Sequence, residues 1–172
     1  MSSLDTKLNI IKFAFGGVQS LWVVGGAARV KIGLMDKEIK DIDIIVPTAY
    51  AEQLFERMLE KTSSLDSPWY YNGKTYFSGY KLKFINDDDQ NLNFDVDVWT
   101  GDVGDYLSKV PTAWDGVAVN IYNGAVLRTA ESLGENHLIT SRPVVRTEGK
   151  SFTYHCARQG LIIEDNRGEL IF

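Results

Sequence analysis

The sequence predicts an α+β fold in which a mixed central β-sheet is flanked by helices and followed by a short helical C-terminal segment. Apolar runs of strand length alternate along the chain with amphipathic stretches of helical period. Two of the strand-like runs carry paired aspartates, and turn signals separate the extended segments near the middle. No repeat, low-complexity tract or linker interrupts this mixture, which is typical of one sheet with helices packed on it.

Residues 1–61 are predicted to contain two strands and three helices. Leu4, Leu8, Ile11 and Phe15 recur at helical spacing, which predicts an amphipathic helix over residues 4–15. Apolar content and end signals predict the other segments: a strand at 21–25, a short helix at 27–34, a strand at 41–46 that Pro47 ends, and a helix from Thr48 to about Lys61.

The later segments begin with aromatic-rich extended runs on either side of Asn72-Gly73, which predicts a hairpin turn. An acidic turn, DDDQN, then leads into a strand at 93–99. The remaining predicted elements are a helix around 103–107, a strand at 116–122, a turn at Asn123-Gly124, a short strand at 125–127, and helices at 129–137 and 148–159. The chain is therefore divided into a domain over residues 1–128 and a helical extension over 129–172.

Composition and charge narrow the class of protein. The longest apolar stretches are shorter than the roughly 20 residues of a membrane span, and the N-terminal segment lacks the cleavage pattern of a secretory signal. The single cysteine, Cys156, cannot form an internal disulfide, which fits a cytoplasmic protein. A net charge of -5 disfavours a large nucleic-acid footprint but leaves room for a modest RNA-contacting face. His137 and His155 have no partners at metal-ligand spacing, so no zinc site is expected.

Two aspartate pairs are the most informative feature of the sequence. Asp41 and Asp43 lie in one apolar strand, and Asp95 and Asp97 lie in another. Because side chains two residues apart on a strand share a face, each pair points in one direction. If the two strands are neighbours, three or four carboxylates converge, and such like charges require a cation. An aspartate-bearing edge strand exposed to solvent is the simpler alternative.

A glycine pair, Gly25-Gly26, lies between the first predicted strand and the short helix that precedes the first aspartate pair. Glycines allow close backbone approach, and amides at the start of a helix are available to phosphate oxygens. Hard divalent ions such as Mg²⁺ bind carboxylate oxygens together with water and substrate phosphate oxygens. The combination indicates metal-assisted chemistry at a phosphate group.

These motifs resemble the DNA polymerase β-like nucleotidyltransferase superfamily, and most closely the head region of tRNA CCA-adding enzymes and bacterial poly(A) polymerases. Those proteins carry GG-x-VR after a strand, and a later strand that begins K-D-x-D. This chain has GGAAR at residues 25–29 and KDIDI at 40–44. The family strand with the third carboxylate is similar to DVDVW at 95–99, and the end of the family's neck helix is similar to residues 154–164.

The resemblance implies the nucleotidyltransferase head fold and transfer of a nucleoside monophosphate (NMP) from a nucleoside triphosphate (NTP) to a hydroxyl, with release of pyrophosphate. It implies an RNA (tRNA-like) 3′ end as the acceptor. The catalytic carboxylates are then Asp41, Asp43 and Asp95. These three, with Asp97 as a reserve ligand, would bind Mg²⁺ (or Mn²⁺).

The resemblance also implies nucleotide contacts by Gly25, Gly26, Arg29 and Asp115. Arg29 either contacts the triphosphate or a carboxylate, or is an arginine on the helix surface. Asp115 either matches a family aspartate beside the ribose, or is a turn residue.

Two departures from the family pattern support an alternative function. Trp114 stands where the family has an arginine, and no E-D-x-x-R template precedes residues 154–164. One alternative is a catalytically inactive relative that binds nucleotide or a protein partner. The other alternative does not depend on these departures: it is a toxin-like transferase that modifies tRNA or a protein with the same active site.

Overall fold

The computed structural model describes residues 3–16, 18, 20–52, 63–64, 69–76, 79–110, 115–128, 137–139 and 162–164. The chain divides into two compact units. The first comprises Met1–Val103 with Ala118–Val126, and the second comprises Gly104–Val117 with Leu127–Phe172. The second unit contains the whole of residues 129–172, and the boundary proposed at residue 128 stays a prediction.

The elements, in chain order, are α1 (Ser3–Ala14), β1 (Trp22–Val24), α2 (Gly25–Lys31), β2 (Asp41–Val46), α3 (residues 48–52 of the described part), β3 (Ser63–Ser64), β4 (Trp69–Tyr76), β5 (Gly79–Asn86), a 3-10 turn (Gln90–Leu92), β6 (Phe94–Thr100), α4 (Val103–Lys109), β7 (Val117–Asn120), β8 (Val126–Arg128), β9 (His137–Ile139) and β10 (Ile162–Glu164). The α+β fold class is therefore confirmed. Within the described residues, no helix is long and apolar enough to cross a membrane.

The main sheet has the strand order β3-β4-β5-β6-β2-β1-β7-β8. β2 and β6 are parallel, whereas β1 and β2, β5 and β6, and β4 and β5 are antiparallel, so the sheet is mixed as predicted. β6 has β5 as its neighbour on one side and β2 on the other, and β4 pairs with β5 farther out. This topology makes neighbours of two strands that are about fifty residues apart in sequence.

One face of the central strands forms the hydrophobic core. On β2, β5 and β6 alternate residues are almost fully buried: Ile42, Ile44, Leu82, Phe84, Val96 and Val98. Phe84 and Phe94 are register partners on β5 and β6, and their rings stack with centroids 4.8 Å apart. Cross-strand aromatic pairs of this kind stabilise one register over its alternatives. Because side chains alternate along a strand, the residues between these buried ones face the other side of the sheet.

Lys7 of α1 is buried against the start of the aspartate-bearing strands. Its ammonium donates a hydrogen bond to the carbonyl oxygen of Ile39, two residues before β2, and lies 5.9 Å from the ring centroid of Phe94. Burial is the largest influence on this amine and lowers the pKa of Lys7. These contacts connect α1 to the segment that leads into β2 and to the first residue of β6.

The prediction of a hairpin turn at Asn72-Gly73 is wrong. β4 runs without interruption through both residues, and Gly73 pairs with Leu82 of β5. A side chain at position 73 would meet the buried Tyr80, because an added Cβ would lie 2.5 Å from the Tyr80 hydroxyl oxygen. The glycine thus marks a close approach within a strand. Burial, with a smaller influence from Tyr71, raises the pKa of Tyr80 to about 12.

We expect Gly73→Ala to lower the free energy of unfolding by about 1–3 kcal/mol, since Tyr80 and Leu82 are both buried and cannot easily make room. Urea denaturation would measure the loss. Gly16→Ala is the matched control, because its added carbon would lie 3.5 Å from the nearest heavy atom, an ordinary contact. Equal losses for the two variants would contradict this explanation of Gly73.

Three further predicted elements are found. They are the helix after residue 103, the turn at Asn123-Gly124, and the strand predicted at 116–122, which is β7 and ends at Asn120 because residues 121 and 122 belong to the turn. His137 was predicted to end a helix, but it begins β9, which pairs in parallel with β10. The rest of that helix, at 129–136, and the helix at 148–159 lie outside the described residues.

Candidate functional site

The two aspartate-bearing strands are neighbours, which is the condition under which their carboxylates were expected to converge. β2 and β6 pair in parallel, with Asp41 opposite Asp95 and Asp43 opposite Asp97. The four residues form a two-by-two array, called here the four-aspartate cluster. The alternative of separate edge strands is wrong for both pairs, because β2 and β6 are internal strands of the sheet.

The four-aspartate cluster lies on the sheet face opposite the core. The residues between the aspartates, Ile42, Val96 and their neighbours on the same face, are buried, whereas Asp41 is exposed and the other three aspartates are half-buried. Around the aspartates, side chains therefore alternate between the core and the more accessible face. The carboxylates are accessible to a ligand that approaches this face.

Lys81 supplies a positive charge next to the cluster. It pairs with Asp97 in the β5–β6 register, and its ammonium nitrogen lies 3.7 Å from Asp97 Oδ1 and 4.0 Å from Asp95 Oδ2. All three side chains are about one-third exposed, so each ion pair contributes no more than about 1 kcal/mol. Their effect on the site is to neutralise part of the charge on β6.

Trp99 connects the two strands through Asp43. Its indole N–H donates a long hydrogen bond of 3.4 Å to Asp43 Oδ1. Since Trp99 lies two residues beyond Asp97, its side chain belongs to the same face as the aspartates. The contact restricts the orientation of the Asp43 carboxylate.

Gly25 permits the turn between β1 and α2 to approach the cluster. Its φ of +66° lies in the left-handed region, which favours glycine. A Cβ at this position would lie 3.1 Å from Asp43 Oδ2. The absence of a side chain therefore leaves the space beside the Asp43 carboxylate open.

Arg29 is not on the helix surface, and that alternative is wrong. Its side chain is 2% exposed, and Nε donates to the sulfur of Met35 at 3.2 Å. A Cβ on Gly26 would lie 4.0 Å from Arg29 Nη2, so the guanidinium lies beneath the glycine pair. A buried guanidinium behind this turn would favour an anion bound over it.

The donor chemistry of the cluster fits a hard divalent cation. The described residues contain no group of three His, Cys, Asp or Glu side chains placed to hold one metal ion. Mg²⁺ sites commonly use one or two carboxylates, with water and substrate phosphates as the other ligands. Asp41 and Asp43 fit such a pair, because Gly25 leaves space at Asp43 while Lys81 contacts Asp95 and Asp97. Metal binding by Asp41, Asp43, Asp95 and Asp97 stays a prediction.

A small pocket of about 180 Å³ lies farther along the same face. Trp22 and Ile45, which are register partners two residues from Val24 and Asp43, contribute to its wall, as do Pro47, Thr48 and Asp102. Ligand sites usually exceed about 300 Å³. The pocket is therefore large enough for only part of a nucleotide.

Asp115 lies in the second unit and is 7% exposed. Its burial is unusual for a turn residue, and its contact with a ribose stays a prediction. Trp114 and Cys156 lie outside the described residues.

Sequence reasoning did not assign Lys81 and Trp99 to the site. The alternation in GYKLKFI places Lys81 and Lys83 opposite the core residues of β5, and this signal was available. The offset between β5 and β6, which pairs Lys81 with Asp97, had no signal in the sequence, because it depends on how the acidic turn closes.

No protein-family profile matches the sequence, and no curated protein matches it. Solved structures do match. A tRNA-processing enzyme in an apo form has a TM-score of 0.53 at 12% identity, over 81% of this chain and 36% of that one. CCA-adding enzymes in complex with CTP and with ATP have TM-scores of 0.51 and 0.50 at 13% and 16% identity.

This chain has a nucleotidyltransferase-like fold. The CTP and ATP complexes cover 80% and 78% of this chain, which in turn spans about a third of theirs, 33% and 32%. At these identities the likeness concerns the fold.

Proposed function

We propose that this protein is a metal-dependent nucleotidyltransferase that transfers an NMP from an NTP to a hydroxyl acceptor and releases pyrophosphate. The observation that carries the proposal is the four-aspartate cluster beside Gly25, on the open face of a nucleotidyltransferase-like fold. Adjacent carboxylates on an exposed face repel one another, and a substrate-bound cation would relieve that repulsion.

In this proposal Asp41 and Asp43 hold the divalent cation. Bound Mg²⁺ (or Mn²⁺) would neutralise charge on the triphosphate and on the pyrophosphate that leaves. Asp95 accepts the proton of the acceptor hydroxyl at a carboxylate oxygen. The hydroxyl oxygen bonds to the α-phosphorus, the bond from that phosphorus to the bridging oxygen breaks, and pyrophosphate leaves with the electron pair.

The glycine pair and Arg29 would hold the β- and γ-phosphates. Gly25 and Gly26 carry no side chain that would block a cation-bound phosphate from approaching the site beside Asp43. The buried guanidinium of Arg29 behind this turn adds a fixed positive charge. Asp115 is assigned to the ribose on the resemblance alone.

We propose an RNA 3′ end as the acceptor. The fold likeness to a tRNA-processing enzyme and to CCA-adding enzymes supports this choice over a protein or a small-molecule hydroxyl. The net charge of -5 suits an acceptor held over a short length, because a long phosphate contact would require more clustered Lys and Arg.

The test is incubation with each of the four α-labelled NTPs, total RNA and Mg²⁺, followed by sizing of the labelled product. We expect wild-type protein to label RNA and the double variant Asp41→Ala/Asp43→Ala to leave it unlabelled. Equal labelling by both proteins would contradict the proposal. A labelled product of protein size would show that the acceptor is a protein and not RNA.

A nucleotide-binding protein without transferase activity is the second candidate. It is favoured by Trp114 in place of the family's arginine and by the contact of Lys81 with Asp95. Calorimetric titration with Mg²⁺-ATP, followed by a pyrophosphate assay, separates the two functions. Binding without pyrophosphate release would favour this second function.

A further inference from the structure

Lys81 lies on the β6 side of the four-aspartate cluster, next to Asp95 and Asp97. Its ammonium nitrogen is within 4.0 Å of carboxylate oxygens on both Asp95 and Asp97. One side-chain cation thus contacts both carboxylates of β6. Any metal ion that bound to these two aspartates would have to share them with the lysine.

Among the two lysines on this face of β5, only Lys81 contacts the carboxylates of β6. Lys83 follows two residues later on β5, lies on the same face and is the register partner of Asp95. It is exposed, and within the described part of the chain it forms no ion pair. Two lysines with similar surroundings in sequence therefore differ in their contact with the carboxylates.

A carboxylate oxygen can contact an ammonium group and a divalent cation together, but the two positive charges repel each other across a few ångströms. The partly exposed location reduces this repulsion by solvent and salt screening but does not remove it. Occupation of Asp95 and Asp97 by Lys81 must therefore weaken metal binding at that half of the cluster.

We propose that Lys81 is a positioning residue that competes with the divalent cation for Asp95 and Asp97. The part of Lys81 in catalysis rests on the proposed function. Lys81 holds the Asp95 carboxylate in place while Asp41 and Asp43 bind the metal. The bound metal therefore has two protein carboxylates, which leaves ligand positions for the triphosphate.

The competition is measured by metal binding to the whole chain, without nucleotide or RNA. Mn²⁺ is the probe, and its binding is followed by the loss of the free-ion electron paramagnetic resonance signal and by calorimetry. We expect Lys81→Met, which keeps the aliphatic stem, to lower the Kd for Mn²⁺ by about three- to tenfold at low ionic strength. The difference should shrink in high salt.

Two further variants separate competition from a general loss of positive charge. Lys81→Arg retains the charge and should keep the wild-type Kd. Lys83→Met removes one charge from the same face and should change the Kd less than about twofold. Circular dichroism melting checks the fold, and Lys81→Gln replaces Lys81→Met if the latter does not fold.

Equal Mn²⁺ affinity in wild type and Lys81→Met would overturn the inference, as would equal tightening by Lys83→Met. Absence of Mn²⁺ binding in every variant would overturn both this inference and the metal-binding role of Asp41 and Asp43. Tighter Mn²⁺ binding in Lys81→Met, in a protein that labels no acceptor, would support the inference and remove the proposed function.

Discussion

Asp43→Asn is expected to lower the initial rate of NMP transfer by about a thousandfold, which corresponds to roughly 4 kcal/mol of transition-state stabilisation. Asp43 is the register partner of Asp97 on one side, and its carboxylate approaches Gly25 on the other. It is therefore central to the proposed cation and phosphate positions. Asparagine keeps the shape of the side chain but cannot neutralise a cation.

The loss of rate should occur without loss of stability. The amide introduced by Asp43→Asn retains an oxygen that can accept the hydrogen bond from Trp99, and the substitution removes one negative charge from a crowded face. Asp88→Asn is the matched control, because it makes the same charge change on an exposed turn. Radiolabel incorporation measures the rate, and a wild-type rate for Asp43→Asn would remove Asp43 from the mechanism.

Gly25→Ala is expected to impair both stability and transfer. Alanine at a φ of +66° costs about 1–2 kcal/mol, and its methyl carbon would lie 3.1 Å from Asp43 Oδ2. The carboxylate must then shift, and small displacements of a catalytic group can cost about a hundredfold in rate. We therefore expect a loss of initial rate of roughly ten- to a hundredfold in addition to the loss in free energy of unfolding.

Gly33→Ala separates these two effects. Gly33 also has a positive φ, +83°, but an added Cβ would meet nothing within 4 Å. It should show a similar loss of stability in urea denaturation with a nearly unchanged rate of NMP transfer. If both glycine variants lost the same amount of activity, the approach of Gly25 to Asp43 would have no special role.

The site-bearing strands could be predicted because their signals are local. Paired aspartates inside short apolar runs specify β2 and β6, and strand alternation places each pair on one face. The pairing of β2 with β6 was only the condition under which the carboxylates would converge, and the structure places Asp41 beside Asp95. Residue type and period thus sufficed to put each aspartate pair on one face, but not to pair the two strands.

Contacts that depend on tertiary packing could not be predicted in this way. Asn72-Gly73 has the composition of a hairpin turn, but Gly73 lies in a strand because the buried Tyr80 fills the space of a side chain. Arg29 carries a charge on a short helix, which suggests the surface, yet it packs beneath the glycine pair. The contacts of Lys81 with β6 depend on a strand offset that no local pattern determines.

The central claim is that the carboxylates on this face support transfer of an NMP from an NTP. Parallel reactions with α-labelled and γ-labelled NTP, each with wild type and with Asp41→Asn/Asp43→Asn, test it most directly. We expect only the α label to enter the acceptor, only with wild type, and one pyrophosphate to be released per label incorporated. Incorporation of the γ label, or equal α-label incorporation by the double variant, would contradict the claim.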